Sequence, residues 1–463
     1  MNRLTKALIC TVATLLAPLA IAHADVRFVR IPGFVAPGTP AELNTVGILQ
    51  IGSPTARNIL VLNPGTSASA AYFAPLAKTV VGRLPDWQVW AVERRENQLE
   101  DHSVLDQAKQ GLVTGQQLFD YYLGWITDPT ITTHFQFIKD TDVAFARDWG
   151  MQVEIEDLQR VVKMARRGHR RVVVGGHSLG GSMTAAYATW DFHGKPGARW
   201  VRGLVFIDGG SGPTPITADQ ATASLAALQT STPWLTFGGI PAPLAGLFNA
   251  TGSLGALIDP DSPSVGQAWP ALPANLKPPV PVTNLGQYGY ALDVKTSPPA
   301  LIAAQAHLGQ LDETGNPPFG WDSTGALTPI QRYADMFSGL TLAQDDGLFG
   351  LDGTAWYHPQ RLTLDAGAVA AGNANPAQAV LDVHAIHGDD LPRRLKIYAF
   401  GAALGGQNVL DAATLLAQQS GIPLTNLTLI NRHDTYAHND PNAAYPQNDF
   451  IDGLIPFLQG IRQ

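Results

Sequence analysis

The sequence carries one cysteine, Cys10, in 463 residues. One thiol can form neither an intramolecular disulfide nor a multi-cysteine metal site. Charge is also scarce: Asp, Glu, Lys and Arg make up 15% of the chain, and acids outnumber bases to leave a net charge of −8. That balance argues against a nucleic-acid partner, which favours a basic face. The one dense basic run, RRGHRR (Arg166–Arg171), lies between a predicted helix and a predicted strand, where cations suit the helix C-terminus. The 12 histidines show no HExxH or similar ligand spacing, so no catalytic metal is expected. Nor is there an apolar run long enough for an ordinary membrane span. The best candidate, ALICTVATLLAPLAIA, is short and contains Pro18.

That stretch has another reading. It follows a basic MNRLTK and ends at Ala22-His23-Ala24, a small-x-small cleavage pattern. Residues 1–24 are therefore expected to be a secretory signal, with the mature chain starting near Asp25 in a periplasm or outside the cell. Cys10 lies inside the signal, so the mature chain would lack cysteine and could not be a cysteine hydrolase.

Hydrophobic residues are 45% of the chain, enough for a large core. VRFVRI and TVGILQI, separated by a Pro/Gly-rich stretch, predict an antiparallel pair at a sheet edge. NILVLN and WQVWAV predict strands, Gly150–Arg166 a helix, and RVVVGG a strand followed by a helix from Leu179 to about Trp190. RGLVFID closes this half. After a charge-poor stretch from 211 to 390, the pattern resumes with LKIYAFG, DAATLLAQQSG, LTNLTLIN and DFIDGLIPFLQGI. Apolar strands alternating with helices predict an α/β fold with a mostly parallel central sheet and helices on both faces. Residues 25–210 and 391–463 would form its core and 211–390 a cap insertion. Aromatics of the insertion (among them Trp234, Phe237, Trp269, Tyr288, Tyr290, Trp321, Tyr333, Phe337, Trp356 and Tyr357) read mainly as its own core, with the alternative that some line an apolar pocket over the sheet.

Within VVVGGHSLGG, Ser178 sits in Gly176-His177-Ser178-Leu179-Gly180, a G-x-S-x-G between a strand and a helix. That context is what a nucleophile elbow requires, because a strained turn lifts the hydroxyl clear of the sheet. The GHSLGG motif and the strand pattern around it resemble the α/β-hydrolase superfamily, over most of the mature chain apart from the insertion. The resemblance implies that fold, a serine nucleophile, an acid and a histidine in that chain order, and no cofactor.

The family places its histidine just past the last strand, where His433 and His438 both occur. TYAHNDP resembles the family's ending, which favours His438; His433 beside Asp434 also suits a surface turn. For the acid, the usual position offers nothing before Asp411, which reads as a helix N-cap. Asp208 ends the strand GLVFID without an obvious capping duty and is preferred, with Asp411 as the alternative. The oxyanion hole would use the amide of Leu179 and one from Asn63-Pro64-Gly65-Thr66-Ser67, with Thr66 ahead of Ser67 because proline has no N–H. His177 reads as a packing residue, and Glu93-Arg94-Arg95-Glu96 as an ion-pair cluster.

The resulting expectation is a secreted serine hydrolase of small apolar or aromatic carboxylic esters. The same groups would serve an acyltransferase or an amidase, and the fold alone could serve a silent binding protein.

Overall fold

A computed structural model describes residues 25–237 and 239–461; the expected signal, residues 1–24, falls outside the described residues. Eight strands form one sheet: β1 (Val26–Pro32), β2 (Thr45–Ile51), β3 (Asn58–Asn63), β4 (Trp87–Glu93), β5 (Arg171–His177), β6 (Gly203–Ile207), β7 (Lys396–Gly401) and β8 (Leu427–Asn431). Their order across the sheet is β1-β2-β4-β3-β5-β6-β7-β8, and only β2 runs against the rest. The inner strands β3 and β4 are buried along their whole length, whereas β1 alternates between half-buried and exposed at one edge. Sequence and burial agree for a physical reason: strands covered on both faces need apolar residues at every position.

Each face has its own core. Leu60 and Leu62 of β3 point into one cluster, with α1 (Ala74–Arg83) and α5 (Asp449–Ile461). Ile59 and Val61 point into the other, with α2 (Met151–Ala165), α3 (Leu179–Thr189) and α4 (Gly406–Gln419). This two-residue alternation is the pleat expressed as packing. At the end of α2, Arg170 donates from Nε to the Ala165 carbonyl (2.9 Å) and from Nη2 to that of Met164 (3.2 Å), closing the helix C-terminus.

The long stretch between β6 and β7 contributes no strand to the sheet. It is woven into the core rather than perched above it. Its helix Ile330–Ser338 joins the first cluster through Tyr333, Met336 and Phe337, and its helix Gln360–Val369 joins the second through Leu362 and Val369. A third cluster, away from the sheet, unites Trp234, Leu247, Trp269 and Trp356 of the insertion with Leu105, Tyr122 and Trp149. Residues 95–149, which the sequence reading left in the core, therefore pack with the insertion. Eight of the ten insertion aromatics named above are buried; Tyr290 is partly covered and Phe237 is exposed. No helix among the described residues is long and apolar enough to cross a membrane.

Candidate active site

Three chain segments meet at the carboxyl ends of β5, β6 and β8. Ser178 follows β5 directly, with φ 56° and ψ −124°, a conformation rarely adopted by a residue with a side chain. Two backbone bonds hold it there: the Ser178 N–H donates to the Ile207 carbonyl (3.0 Å), and the Gly181 N–H to the Ser178 carbonyl (2.8 Å). The flanking glycines are required by clearance. A Cβ at Gly176 would lie 2.1 Å from the Gly180 carbonyl oxygen, and one at Gly180 would lie 2.0 Å from that of Asn63. Ser178 itself is half-buried.

Asp208 leaves β6 with φ 43°, its N–H still bonded to the Phe400 carbonyl at 2.8 Å. Its carboxylate is cradled by the turn after β7: Oδ1 accepts from the amides of Ala402 (2.6 Å), Gly405 (2.9 Å) and Gly406 (3.2 Å), and Oδ2 from Leu404 (3.1 Å). Oδ2 also lies 2.7 Å from Nδ1 of His438. Burial pushes this carboxyl upward, but the His438 hydrogen bond and charge, with the Ala402 amide, outweigh it and hold the group below its ordinary range. The carboxylate is therefore the resting form, and an ionised acceptor keeps the proton of the imidazole on Nδ1 and leaves Nε2 as the base.

Asp411 is elsewhere. Helix α4 starts at Gly406, five residues before Asp411, so Asp411 is an exposed mid-helix residue rather than an N-cap, taking a hydrogen bond from Gln407 Nε2 (2.9 Å). Of the amides at the start of α4, that of Gly406 is served by Asp208, at the end of the neighbouring strand β6. His433 is likewise on the surface, 3.0 Å from Asp434 and 2.9 Å from Asn431.

His438 is 1% exposed and packs against the ring of His177, with centroids 4.2 Å apart and the rings tilted by 40°. His177 Nε2 donates to the His438 carbonyl (2.8 Å), which fixes the tautomer, and burial followed by the nearby His438 pushes its own pKa down to about 3. A buried His177 that resists protonation thus buttresses the His438 backbone. Asp440 anchors the same loop to the insertion. It accepts from the Ala437 amide (2.7 Å), the His307 amide (3.0 Å), His307 Nδ1 (2.6 Å) and Thr328 Oγ1 (2.6 Å).

The hydrogen bond to Asp440, opposed by partial burial, raises the His307 pKa. A raised folded pKa stabilises fully below the unfolded value, about 6.5 for histidine. That contribution disappears as pH rises through the folded value. His307→Gln should therefore melt below the parent chain at pH 5.5 and draw level with it at pH 9, as followed by circular dichroism.

The loop Asn63–Ser67 runs against the elbow: a Cβ at Gly65 would meet Ser178 Cβ at 2.9 Å. The Ser67 N–H donates to Nδ1 of buried His358 (3.4 Å), so that amide is occupied, and Thr66 is the half-buried residue beside it. Beneath the loop lies Arg94, 1% exposed. It donates to the carbonyls of Pro64 (3.0 Å), Gly65 (3.1 Å) and Ala68 (3.0 Å), and pairs with Glu96 (2.6 Å). Arg94 turns the carbonyls inward, which directs the loop's amides outward. The run ERRE signalled an ion pair but not this positioning role, because the partners are main-chain atoms some thirty residues earlier in the sequence. Arg94→Met leaves Glu96 buried and unpaired, and should cost about 3–5 kcal/mol in urea denaturation.

A groove of 930 Å³ opens beside the His438 loop, lined among others by Asp293, Lys295, His307, Arg432 and Asp434. Ser178, Asp208 and His438 are not part of its wall, so it is a feature separate from this cluster.

The strand order, the single reversed strand β2 and the serine turn after β5 together decide the architecture. The chain has the α/β-hydrolase fold. No family profile and no curated protein sequence matches it. Solved structures of similar architecture include a candidate lipase from Sulfolobus solfataricus (14% identity, 95% of each chain, TM-score 0.46). A lipase in an open form is similar at 13% identity over 94% of this chain and 99% of its own, with a TM-score of 0.42. A thermostable carboxyl esterase from Bacillus coagulans is similar at 13% over 94% and 98%, with a TM-score of 0.39. Residues of the stretch between β6 and β7 anchor both the His438 loop, through His307 and Thr328, and the Thr66 loop, through His358.

Proposed function

We propose that this α/β-hydrolase-fold protein is a secreted or periplasmic serine hydrolase of carboxylic esters. The observation that carries the reading is the buried 2.7 Å bond between His438 Nδ1 and Asp208, adjoining the strained Ser178 turn. Ser178 Oγ attacks the ester carbonyl while His438 Nε2 takes its proton. The amides of Leu179 and Thr66 receive the developing oxyanion. The first amides of a helix have no carbonyl within the helix to bond, which supports the Leu179 assignment. His438 then protonates the leaving alcohol, and water repeats the sequence on the Ser178 acyl-enzyme. Asp208 holds the imidazole tautomer and stabilises the imidazolium. All of this needs side chains and main-chain amides only, and no cofactor.

The charge-poor insertion supports a small apolar or aromatic ester. A fluorophosphonate probe tests the nucleophile: the expected result is a single adduct on the peptide containing Ser178. An unlabelled chain would instead indicate a silent binding protein. Product analysis with added alcohols and amines distinguishes hydrolysis from acyl transfer.

A further inference from the structure

We propose that Glu100, His102 and Asp352 form a divalent-cation site, fitted to zinc, that ties the insertion to the segment after β4, beside the loop bearing Thr66. Glu100 and His102 lie two residues apart and Asp352 some 250 residues later, and one ligand atom from each lies within 4.8 Å of the others. His102 Nε2 is 3.2 Å from Glu100 Oε2 and 3.3 Å from Asp352 Oδ2. A tetrahedral zinc with bonds of about 2.0–2.1 Å separates its ligands by roughly 3.3 Å, so these two edges already match.

Two further features point to a cation rather than a simple ion pair. Apart from these contacts with one another, Glu100 Oε2, His102 Nε2 and Asp352 Oδ2 have no hydrogen-bond partner, although the Glu100 and Asp352 side chains are 0% and 1% exposed. Their other oxygens, by contrast, are fully engaged. Glu100 Oε1 accepts from the Trp356 amide (2.7 Å), and Asp352 Oδ1 from the Thr354 amide and hydroxyl (2.7 Å each). Each carboxylate is thus clamped by one oxygen and presents the other to a common point, as outer hydrogen bonds orient metal ligands.

The charge balance agrees. Glu93 lies close enough to interact with both His102 and Asp352, and Lys109, which also interacts with Asp352, is committed to the Leu351 carbonyl at 2.7 Å.

The position gives the site a purpose. Asp352–Ala355 lies alongside Ser67–Ser69: Ala355 N–H donates to the Ser67 carbonyl (2.9 Å), Ser69 N–H to that of Gly353 (3.2 Å), and Ser69 Oγ to that of Asp352. A metal joining Asp352 to Glu100 and His102 would lock this flank against the segment that follows β4. The site does not depend on the ester-hydrolase reading.

The test is zinc chloride titrated into chelator-stripped, dialysed full chain by calorimetry, beside His102→Gln and Asp352→Asn. One equivalent of zinc should bind with a Kd at or below about 1 μM, at least tenfold more weakly in each variant. Zinc should raise the melting temperature of the parent chain and leave that of His102→Gln unchanged. No uptake by the parent chain overturns the proposal and leaves His102 as an imidazolium between two carboxylates. Equal uptake by parent and variants also overturns it, because the zinc would then sit on surface histidines. Should His102→Gln fail to fold, the parent titration and Asp352→Asn decide.

Discussion

Ser178→Ala is expected to lower turnover of a short p-nitrophenyl ester by at least about a thousandfold. The variant should fold normally, because the turn is held by main-chain bonds and not by the hydroxyl. Alanine at φ 56° is no worse placed than serine. What it loses is the covalent intermediate; the amides of Leu179 and Thr66 and the His438–Asp208 pair would remain, leaving a weak, water-based background. Unchanged circular dichroism with lost turnover is the expected result. Retained turnover would remove Ser178 from the mechanism.

Asp208→Asn should reduce kcat by roughly 10³–10⁴-fold, and Asp411→Asn by less than about twofold. The difference follows from what each carboxylate touches. At Asp208 an amide can still accept from Ala402, Gly405 and Gly406 through one oxygen. Its NH₂ then replaces the oxygen that faces His438 Nδ1 and the Leu404 amide. Two donors would oppose each other, and the imidazole would be driven to the wrong tautomer. At Asp411 only the bond from Gln407 is at stake, on an exposed helix face. Equal and mild losses in the two variants would exclude Asp208 as the acid.

The sheet was legible in the sequence because its code is local. β3, β4 and β5 are apolar runs bounded by turn residues, and the clash of a Cβ at Gly176 or Gly180 is foreshadowed by the glycines themselves. The choice of Asp208 could be argued from the sequence, since it follows four apolar residues and precedes Gly-Gly. The reason it succeeds as an acceptor could not. Its cradle is the main chain of residues 402–406, and amides leave no mark in a sequence. The same holds for Arg94, whose partners are carbonyls, and for His307 and Asp440, which are far apart in sequence. The sequence also could not show that residues 95–149 pack against the insertion. Their apolar positions are buried by partners more than a hundred residues later.

The adjacency of β6 and β7 carries a consequence for the order in which the molecule assembles. Ile207 pairs with Phe400, so this contact closes a loop of roughly 190 residues, at an entropic cost on the order of 5 kcal/mol. Contacts so distant along the chain are made late and slowly during folding. Asp208 lies at the near side of that closure, and its amide cradle lies at the far side. Ser178 can reach its strained turn once β3, β5 and β6 are paired, but the acid stays uncradled until β7 docks. The histidine then waits for β8. During refolding, native-like helical signal should therefore return before any turnover of a p-nitrophenyl ester under the proposed function. A nascent chain would emerge from its ribosome catalytically inert until its last strand is in place.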